Sequence, residues 1–146
     1  MRIGITALVL AWLAVLSCYD IRTRRLPNAL TLPGAGVFLL ACAVAGRGVP
    51  ALAGAAALTG VYLLVHLMAP AALGAGDVKL AIGLGGLAGC FGVEVWFLAV
   101  LAAPLLTALW GVAARFFGGA GAAATVPHGP SMCVATAGAA GLALLG

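Results

Sequence analysis

Charged residues are scarce in this sequence, and acidic residues are the scarcest of all. Of the 146 residues, 7% are charged and only three are acidic, namely Asp20, Asp77 and Glu94. A soluble domain carries about 25% charged residues, whereas this chain is 65% hydrophobic and has a mean hydropathy of +1.26. Such a chain cannot cover a water-facing surface, so lipid must be its solvent. This composition excludes an ordinary soluble fold.

Paired metal-binding motifs are also missing. The sequence contains no CxxC pair, and its four cysteines lie scattered in or beside apolar runs. No spacing of histidine and acidic residues suggests a metal site, so we expect no metal and no other cofactor. The cysteines are predicted to be small buried side chains. The net charge of +4 is typical of membrane topology signals rather than of nucleic-acid binding.

Long apolar runs are what the sequence does contain. Six of them follow one another, and they are continuous rather than alternating, which favours helices over a membrane barrel. A bilayer span needs about 20 apolar residues. We therefore predict an all-α fold, a polytopic integral membrane bundle of about six transmembrane helices that forms a single domain over residues 1–146. The runs cover about residues 3–19, 29–45, 51–69, 77–92, 93–114 and 130–146. Between them, Pro27 and Asn28 favour a turn or a helix start, and residues 71–76 are predicted to form a loop of small residues. The glycines of the fourth run are expected to let neighbouring helices approach closely.

Basic residues predict the orientation of this bundle. With six spans, five basic residues fall on one face of the membrane and two, Arg2 and Arg47, fall on the other. The positive-inside rule makes the five-charge face cytoplasmic, and we expect Asp20, Asp77 and His128 at its boundary. The arginines after Asp20 are expected to set topology and to contact anionic lipid. The five residues are Arg22, Arg24, Arg25, Lys79 and Arg115.

Two carboxylates at the edges of apolar runs are the main functional signal. A charge within the membrane is costly and marks a functional hypothesis. Each aspartate also has a simpler explanation. For Asp77 it is an N-terminal cap of the fourth helix, and for Asp20 it is solvation in a polar loop that we place at residues 20–28. Held close together, two carboxylates cannot both ionise easily and would share one proton. Such a pair can activate water against an amide bond, and the sequence does not assign base and acid.

Several residues near the aspartates invite weaker predictions. Gly74 and Gly76 allow backbone conformations closed to other residues and leave room beside Asp77. Lys79 lies two positions after Asp77, so on a helix the two should point in nearly opposite directions. We expect Lys79 to extend to the interface, and His66 to be a hydrogen-bonded packing residue. The three tryptophans are predicted to be lipid or interface anchors.

Three motifs carry a resemblance to a known family. The stretch Gly74-Ala75-Gly76-Asp77, followed by Val78-Lys79-Leu80, resembles the GxGD motif of membrane aspartyl proteases in the form found in type IV prepilin peptidases. Asp20, followed by Pro27 and Asn28, is similar to the first motif of that family. The segment Pro127-His128-Gly129-Pro130 resembles its later P-aromatic-G-P stretch, with histidine in the aromatic position.

The resemblance implies an enzyme and names its residues. Asp20 and Asp77 would be the catalytic pair, and Gly74, Gly76, Lys79, Pro27, Asn28, Pro127, Gly129 and Pro130 would shape the site. The implied activity is removal of short basic leaders from prepilins or pseudopilins at the cytoplasmic face of a bacterial inner membrane. Long family members carry an extra cytoplasmic domain, often with CxxC motifs, and also N-methylate the product. This sequence lacks those features and is more similar to the short peptidases of tight-adherence (Flp-type) systems, so methylation is not expected.

Other functions remain open at this point. A proton-coupled transporter or a non-enzymatic assembly subunit would also use membrane-embedded aspartate and histidine. Transporters, however, place ionisable groups near the midplane and show internal repeats, which this sequence lacks. A peptidase with the same mechanism and another substrate, such as a signal-peptide remnant, is the remaining alternative.

Overall fold

Six α-helices make up the part of the chain that the computed structural model describes, residues 2–117 and 126–145. In chain order they are α1 (Arg2–Thr23), α2 (Asn28–Val44), α3 (Gly48–Met68), α4 (Ala75–Phe91), α5 (Val93–Phe117) and α6 (Gly129–Leu145). No strand occurs in these residues, so the predicted all-α fold is confirmed. Of the predicted connection between the fifth and sixth helices, residues 118–125 lie outside the described part.

The outer surface of the bundle is apolar, as a lipid-facing surface must be. Large side chains on several helices are mostly exposed, for example Leu40 at 66% and Leu105 at 63%. Three helices, α1, α3 and α5, are long and apolar enough to cross a bilayer, and α2 and α6 are shorter apolar helices of 17 residues each. A length of 17 residues is at the lower limit for a span. The fold is that of a helical membrane bundle.

Helix α4 is the central element of the bundle. It packs against α2, α3, α5 and α6, and both Leu80 and Leu84 on it are fully buried. The glycines of α4 were predicted to let helices approach closely, and this is confirmed at the contact with α3. A Cβ added to Gly85 would lie 2.6 Å from the carbonyl oxygen of Gly54, and one added to Gly89 would lie 2.6 Å from that of Pro50.

Two predicted helix boundaries near the aspartates were wrong. Helix α1 continues through Asp20 to Thr23 rather than ending before it, and the backbone N–H of Arg24 still donates to the Asp20 carbonyl at 2.8 Å. Polar residues do not stop a helix by themselves, and the first proline comes only at position 27. Helix α4 begins at Ala75, so part of the predicted loop 71–76 is helical. The predicted helix start at Pro27 and Asn28 is confirmed, since Pro27 is the N-cap of α2.

Tryptophan and cysteine positions differ in part from expectation. Trp12 donates through Nε1 to the Leu30 carbonyl at 3.1 Å, and Trp96 donates to that of Gly54 at 3.0 Å. These two indoles join helices inside the bundle and are not interface anchors, whereas Trp110 is exposed. Among the cysteines, Cys42 and Cys133 are buried as predicted, Cys90 is partly buried and Cys18 is exposed on the apolar surface.

Candidate functional site

Asp20 and Asp77 open onto one cleft, although they lie on different helices and 57 positions apart in the chain. The cleft lies where α1 ends and α4 begins, and its volume is about 340 Å³. The two carboxylates are close enough to act on each other electrostatically. The structure thus brings both predicted aspartates to one cleft. The residues that line the cleft are Asp20, Arg24, Arg25, Leu26, Gly74, Ala75, Gly76, Asp77 and Lys79.

Asp20 is held by the start of another helix. Its side chain is 8% exposed, and its Oδ2 accepts a hydrogen bond of 3.1 Å from the backbone N–H of Gly129, the first residue of α6. A carboxylate at a helix N-terminus satisfies a free backbone donor and meets the positive end of the helix dipole. Solvation in a polar loop, the simpler explanation for Asp20, is therefore wrong. Asp20 lies in α1 and caps the N-terminus of α6.

Gly129 is required at this contact because nothing larger fits. A Cβ added to Gly129 would lie 2.5 Å from Oδ2 of Asp20 and 3.1 Å from its Cγ. A real Cβ does not come so close to other atoms, so a side chain would push the carboxylate away from the amide. Pro130 follows in the first turn of α6, where its missing N–H costs little, and both residues are buried.

Asp77 lies in the first turn of α4. Gly74 is the N-cap, so Asp77 is the third helical residue. Its carboxylate lies beside Gly74, where an added Cβ would be 3.6 Å from Oδ2. This places the acidic group at the positive end of the helix dipole, as the capping explanation predicted. The placement does not compete with the cleft, because Asp77 is only partly buried and lines the cleft.

The two glycines of the GxGD stretch leave room beside Asp77, as predicted, but they do not need the backbone freedom that was predicted for them. Gly74 has φ −73° and ψ 149°, an extended conformation open to any residue, and Gly76 is not among the described glycines with positive φ. An added Cβ would make only ordinary contacts, 3.6 Å from Oδ2 of Asp77 at Gly74 and 3.5 Å from Leu26 at Gly76. Backbone freedom is thus not required at either glycine. Both line the cleft, where they keep its floor free of side chains.

Lys79 reaches across the cleft rather than away from it. Its Nζ donates to Oδ1 of Asn28 at 2.8 Å, and Lys79 lines the cleft together with Asp77. The prediction that Lys79 and Asp77 would point in nearly opposite directions was wrong, because both line the cleft and the long Lys79 side chain reaches the start of α2. Pro27 positions Asn28 there, and its carbonyl accepts from the Thr31 hydroxyl at 2.7 Å. Lys79 and Asn28 therefore join α4 to α2.

Arg24 and Arg25 also line the cleft. They were predicted to set the membrane topology and to contact anionic lipid. The structure places them also beside the two aspartates. Arg24 acts electrostatically on Asp20. It is one of the few described residues with a left-handed backbone, at φ 52°, and this turn leads the chain from the end of α1 toward Pro27.

The segment 127–130 meets the site through a polar cluster that sequence reasoning missed. Oγ1 of Thr107 lies 2.7 Å from Nδ1 of His128, and the Tyr62 hydroxyl lies 2.8 Å from its Nε2. The rings of Tyr62 and His128 are stacked, with centroids 5.7 Å apart. Burial lowers the pKa of His128 below its usual value, which favours the neutral ring. No sequence pattern identified Tyr62 or Thr107, because each is an isolated polar residue in an apolar helix.

His66 is hydrogen-bonded, as predicted. Its Nδ1 lies 2.7 Å from the carbonyl oxygen of Leu73. A carbonyl only accepts, so Nδ1 carries the proton. This bond joins the end of α3 to the residue before Gly74 and so supports the loop that precedes the cleft.

Comparison with known proteins agrees with the motifs on α1 and α4. The model of the type IV leader peptidase family matches residues 7–112, well over half of the chain. This region contains Asp20, Asp77 and the cleft residues between them, and it ends before the segment 127–130. The chain matches no curated protein and no solved structure. With a family match of this extent, the chain belongs to the type IV leader peptidase family.

Proposed function

We propose that this protein is an aspartyl leader peptidase in which Asp20 and Asp77 hydrolyse one peptide bond of a prepilin-like substrate. The observation that carries the proposal is the shared cleft: two of the three acidic residues in the chain come from separate helices and open onto one cavity. Membership in a peptidase family already makes the chain a hydrolase. With this family match, no observation supports the alternatives of a transporter or an assembly subunit.

The chemistry needs one ionised and one protonated carboxyl group. The ionised aspartate takes a proton from a water molecule as the water oxygen attacks the carbonyl carbon of the substrate. The protonated aspartate donates a hydrogen bond to the developing oxyanion and then supplies a proton to the leaving amine as the C–N bond breaks. The proton taken from water replaces the proton given up, so the pair is ready for another cycle. The pair, rather than either residue, sets the titration.

The shape of the cleft fits an extended peptide. Gly74 and Gly76 leave its floor without side chains, and Lys79, Arg24 and Arg25 surround the carboxylates with donors. These donors can bind backbone carbonyls on both sides of the scissile bond. Pro27, Asn28 and the segment Pro127-Gly129-Pro130 hold the surrounding helices, so they belong to the site as framing residues.

The distribution of charge supports a cytoplasmic cleft. The cleft end of the bundle carries five basic residues, which come from the end of α1, the connection that follows it, the start of α4 and the end of α5. The opposite end carries Arg47, which donates to the Cys90 carbonyl at 2.8 Å. The positive-inside rule then orients the cleft toward the cytoplasm of a bacterial inner membrane. The proposed substrates are Flp-type prepilins or pseudopilins, whose leader is cut at the cytoplasmic face just before the hydrophobic helix. The six helices would act as a single peptidase domain, without cofactor, metal or methyltransferase function.

The test is leader removal in a host that lacks its own prepilin peptidase. The chain is co-expressed with candidate prepilins, and the product mass is followed for wild type, Asp20→Asn and Asp77→Asn. The third acidic residue provides a matched control. Glu94→Gln makes the same acid-to-amide change at an exposed position in the first turn of α5, at the end of the bundle opposite the cleft. We expect cleavage by wild type and Glu94→Gln, and none by either aspartate variant. Normal processing by an aspartate variant would remove that residue from the mechanism.

A further inference from the structure

The His128 side chain lies outside the cleft and is held by hydrogen bonds at both ring nitrogens. It lies between α3 and α5, in contact with the Tyr62 hydroxyl at 2.8 Å and with Thr107 Oγ1 at 2.7 Å. His128 is the last residue before α6 and precedes Gly129, which contacts Asp20. Helices α3, α5 and α6 therefore meet at the His128 ring. The next residue along the chain supplies the amide that contacts the Asp20 carboxylate.

One tautomer of the ring satisfies all the neighbouring hydrogen-bonding groups at once. Thr107 Oγ1 lies 3.1 Å from the Ala103 carbonyl, which only accepts, and with the hydroxyl proton directed there, Oγ1 accepts from the ring. Nδ1 of His128 is then protonated and donates to Thr107, and Nε2 accepts the Tyr62 hydroxyl proton. This neutral tautomer satisfies both ring nitrogens in a buried setting.

The peptide unit that follows the ring is held on both sides. The His128 carbonyl accepts from the backbone N–H of Met132 at 3.1 Å, and the N–H of the same peptide unit, that of Gly129, donates to Oδ2 of Asp20 at 3.1 Å. With the ring bound to α3 and α5, the peptide plane cannot rotate freely. Its N–H is thereby directed at the carboxylate.

We propose that His128 is a positioning residue, which acts through the Gly129 amide to hold the Asp20 carboxylate in its reactive orientation. This inference rests on the proposed function. Fixing Oδ2 fixes the carboxylate plane and therefore the direction of the other oxygen toward water or substrate. Misplacement of a reacting group by about 1 Å can cost about a hundred-fold in rate, so a small rotation of this peptide is sufficient to impair the reaction.

The alternative is that His128 only fills space between α3 and α5, and two substitutions separate the two roles. His128→Phe keeps the ring volume and the stacking on Tyr62 but removes both hydrogen bonds. His128→Asn loses ring volume but keeps an N–H close to the position of Nδ1, which can donate to Thr107. If His128 positions the amide, the Asn variant should retain the higher kcat. If His128 only fills space, the Phe variant should retain the higher kcat.

The kinetic test uses the substrate whose leader the wild type removes. We expect His128→Phe to lower kcat by roughly ten-fold, the effect of one or two lost hydrogen bonds, with KM little changed because the substrate does not touch this residue. His128→Asn should recover part of the loss, and Thr107→Val should lower kcat less than Phe does. Thr59→Val is the matched control: Thr59 is also half-buried, and its hydroxyl has no hydrogen-bond partner among the described residues. It should leave kcat unchanged.

A second readout does not depend on activity. In isotopically labelled protein in detergent micelles, the ¹⁵N signals of His128 should show a protonated Nδ1 and an unprotonated Nε2. The amide proton of Gly129 should move upfield in His128→Phe, because its bond to the carboxylate weakens, and should stay in place in Thr59→Val.

The outcomes separate this inference from the proposed function. If wild type cleaves and His128→Phe matches or exceeds His128→Asn in kcat, His128 is only a packing residue. If wild type cleaves no prepilin, the proposed function has failed, and the NMR readouts still decide whether His128 holds the Gly129 amide. An Nε2-protonated ring, or a Gly129 amide signal that ignores His128→Phe, overturns the inference in either case.

Discussion

The backbone N–H of Gly129 and Oδ2 of Asp20 are 3.1 Å apart, and this contact joins the end of α1 to the start of α6. It brings a buried carboxylate to the positive end of a helix. It also explains why a glycine begins α6, since any side chain there would meet the carboxylate. The segment 127–130 lies far from Asp20 in the sequence and immediately beside it in the fold.

Gly129→Ala should therefore impair the enzyme through one added methyl group. The new Cβ would displace the Asp20 carboxylate, so we expect leader removal to fall by at least ten-fold and the free energy of unfolding to drop by about 1–3 kcal/mol, as for other overpacked sites. Gly138→Ala, in the same helix, is the control because no atom of another described element lies within 4 Å of an added Cβ there. Cleavage rates and thermal unfolding in detergent are the measurements. Equal behaviour of the two variants would contradict the contact.

The hydrogen bond between Lys79 and Asn28 should couple α4 to α2. Its Nζ–Oδ1 distance is 2.8 Å at an exposed site, so we expect a coupling free energy of about 0.5–1 kcal/mol in a double-mutant cycle of Lys79→Met and Asn28→Leu. Lys79→Met should also slow leader removal, because Lys79 lines the cleft. Arg115→Met removes an exposed charge at the same end of the bundle and should not. A coupling near zero would show that the two residues do not bind each other in solution.

The glycine contact between α3 and α4 should tolerate no added volume. Gly85→Ala would place its Cβ about 2.6 Å from the Gly54 carbonyl oxygen, so the helices must separate, at an expected cost of about 1–3 kcal/mol in the free energy of unfolding. Gly60→Ala, on α3 with open space around an added Cβ, should be neutral or slightly stabilising. Thermal unfolding of both variants in the same detergent decides between these expectations. Similar midpoints would argue against close packing of the two helices.

Burial of His128 should make stability depend on pH. The pKa of His128 is lowered from its usual value of 6.5, so the unfolded chain binds a proton at a higher pH than the folded chain does. The stability that this residue contributes is then fully present above about pH 6.5 and is lost as the pH falls toward the folded pKa. We expect the unfolding midpoint to fall over that range in wild type, and to fall less in His128→Asn. Parallel pH profiles for the two proteins would exclude His128 as the source.

Much of the architecture could be predicted from the sequence because composition and periodicity act locally. Continuous apolar runs and scarce charge require lipid as solvent, and backbone groups in lipid must be satisfied within helices. The carboxylates of Asp20 and Asp77 were recognisable for the same reason: a charge at the edge of an apolar run is costly and therefore conspicuous. Pro27 and the glycines of α4 likewise carry local signals for a helix start and for close packing.

Contacts between distant parts of the chain were decided only by the tertiary structure. The sequence did not reveal that Asp20 caps α6, that Lys79 turns toward Asn28, or that Tyr62 and Thr107 hold His128. Each of these depends on which helix faces meet, and low-polarity helices carry little pattern to specify it. Composition and local pattern determined a helical membrane bundle with two conspicuous carboxylates. Packing decided what holds them, because a hydrogen bond across helices forms only after the close approach of their backbones has set its distance.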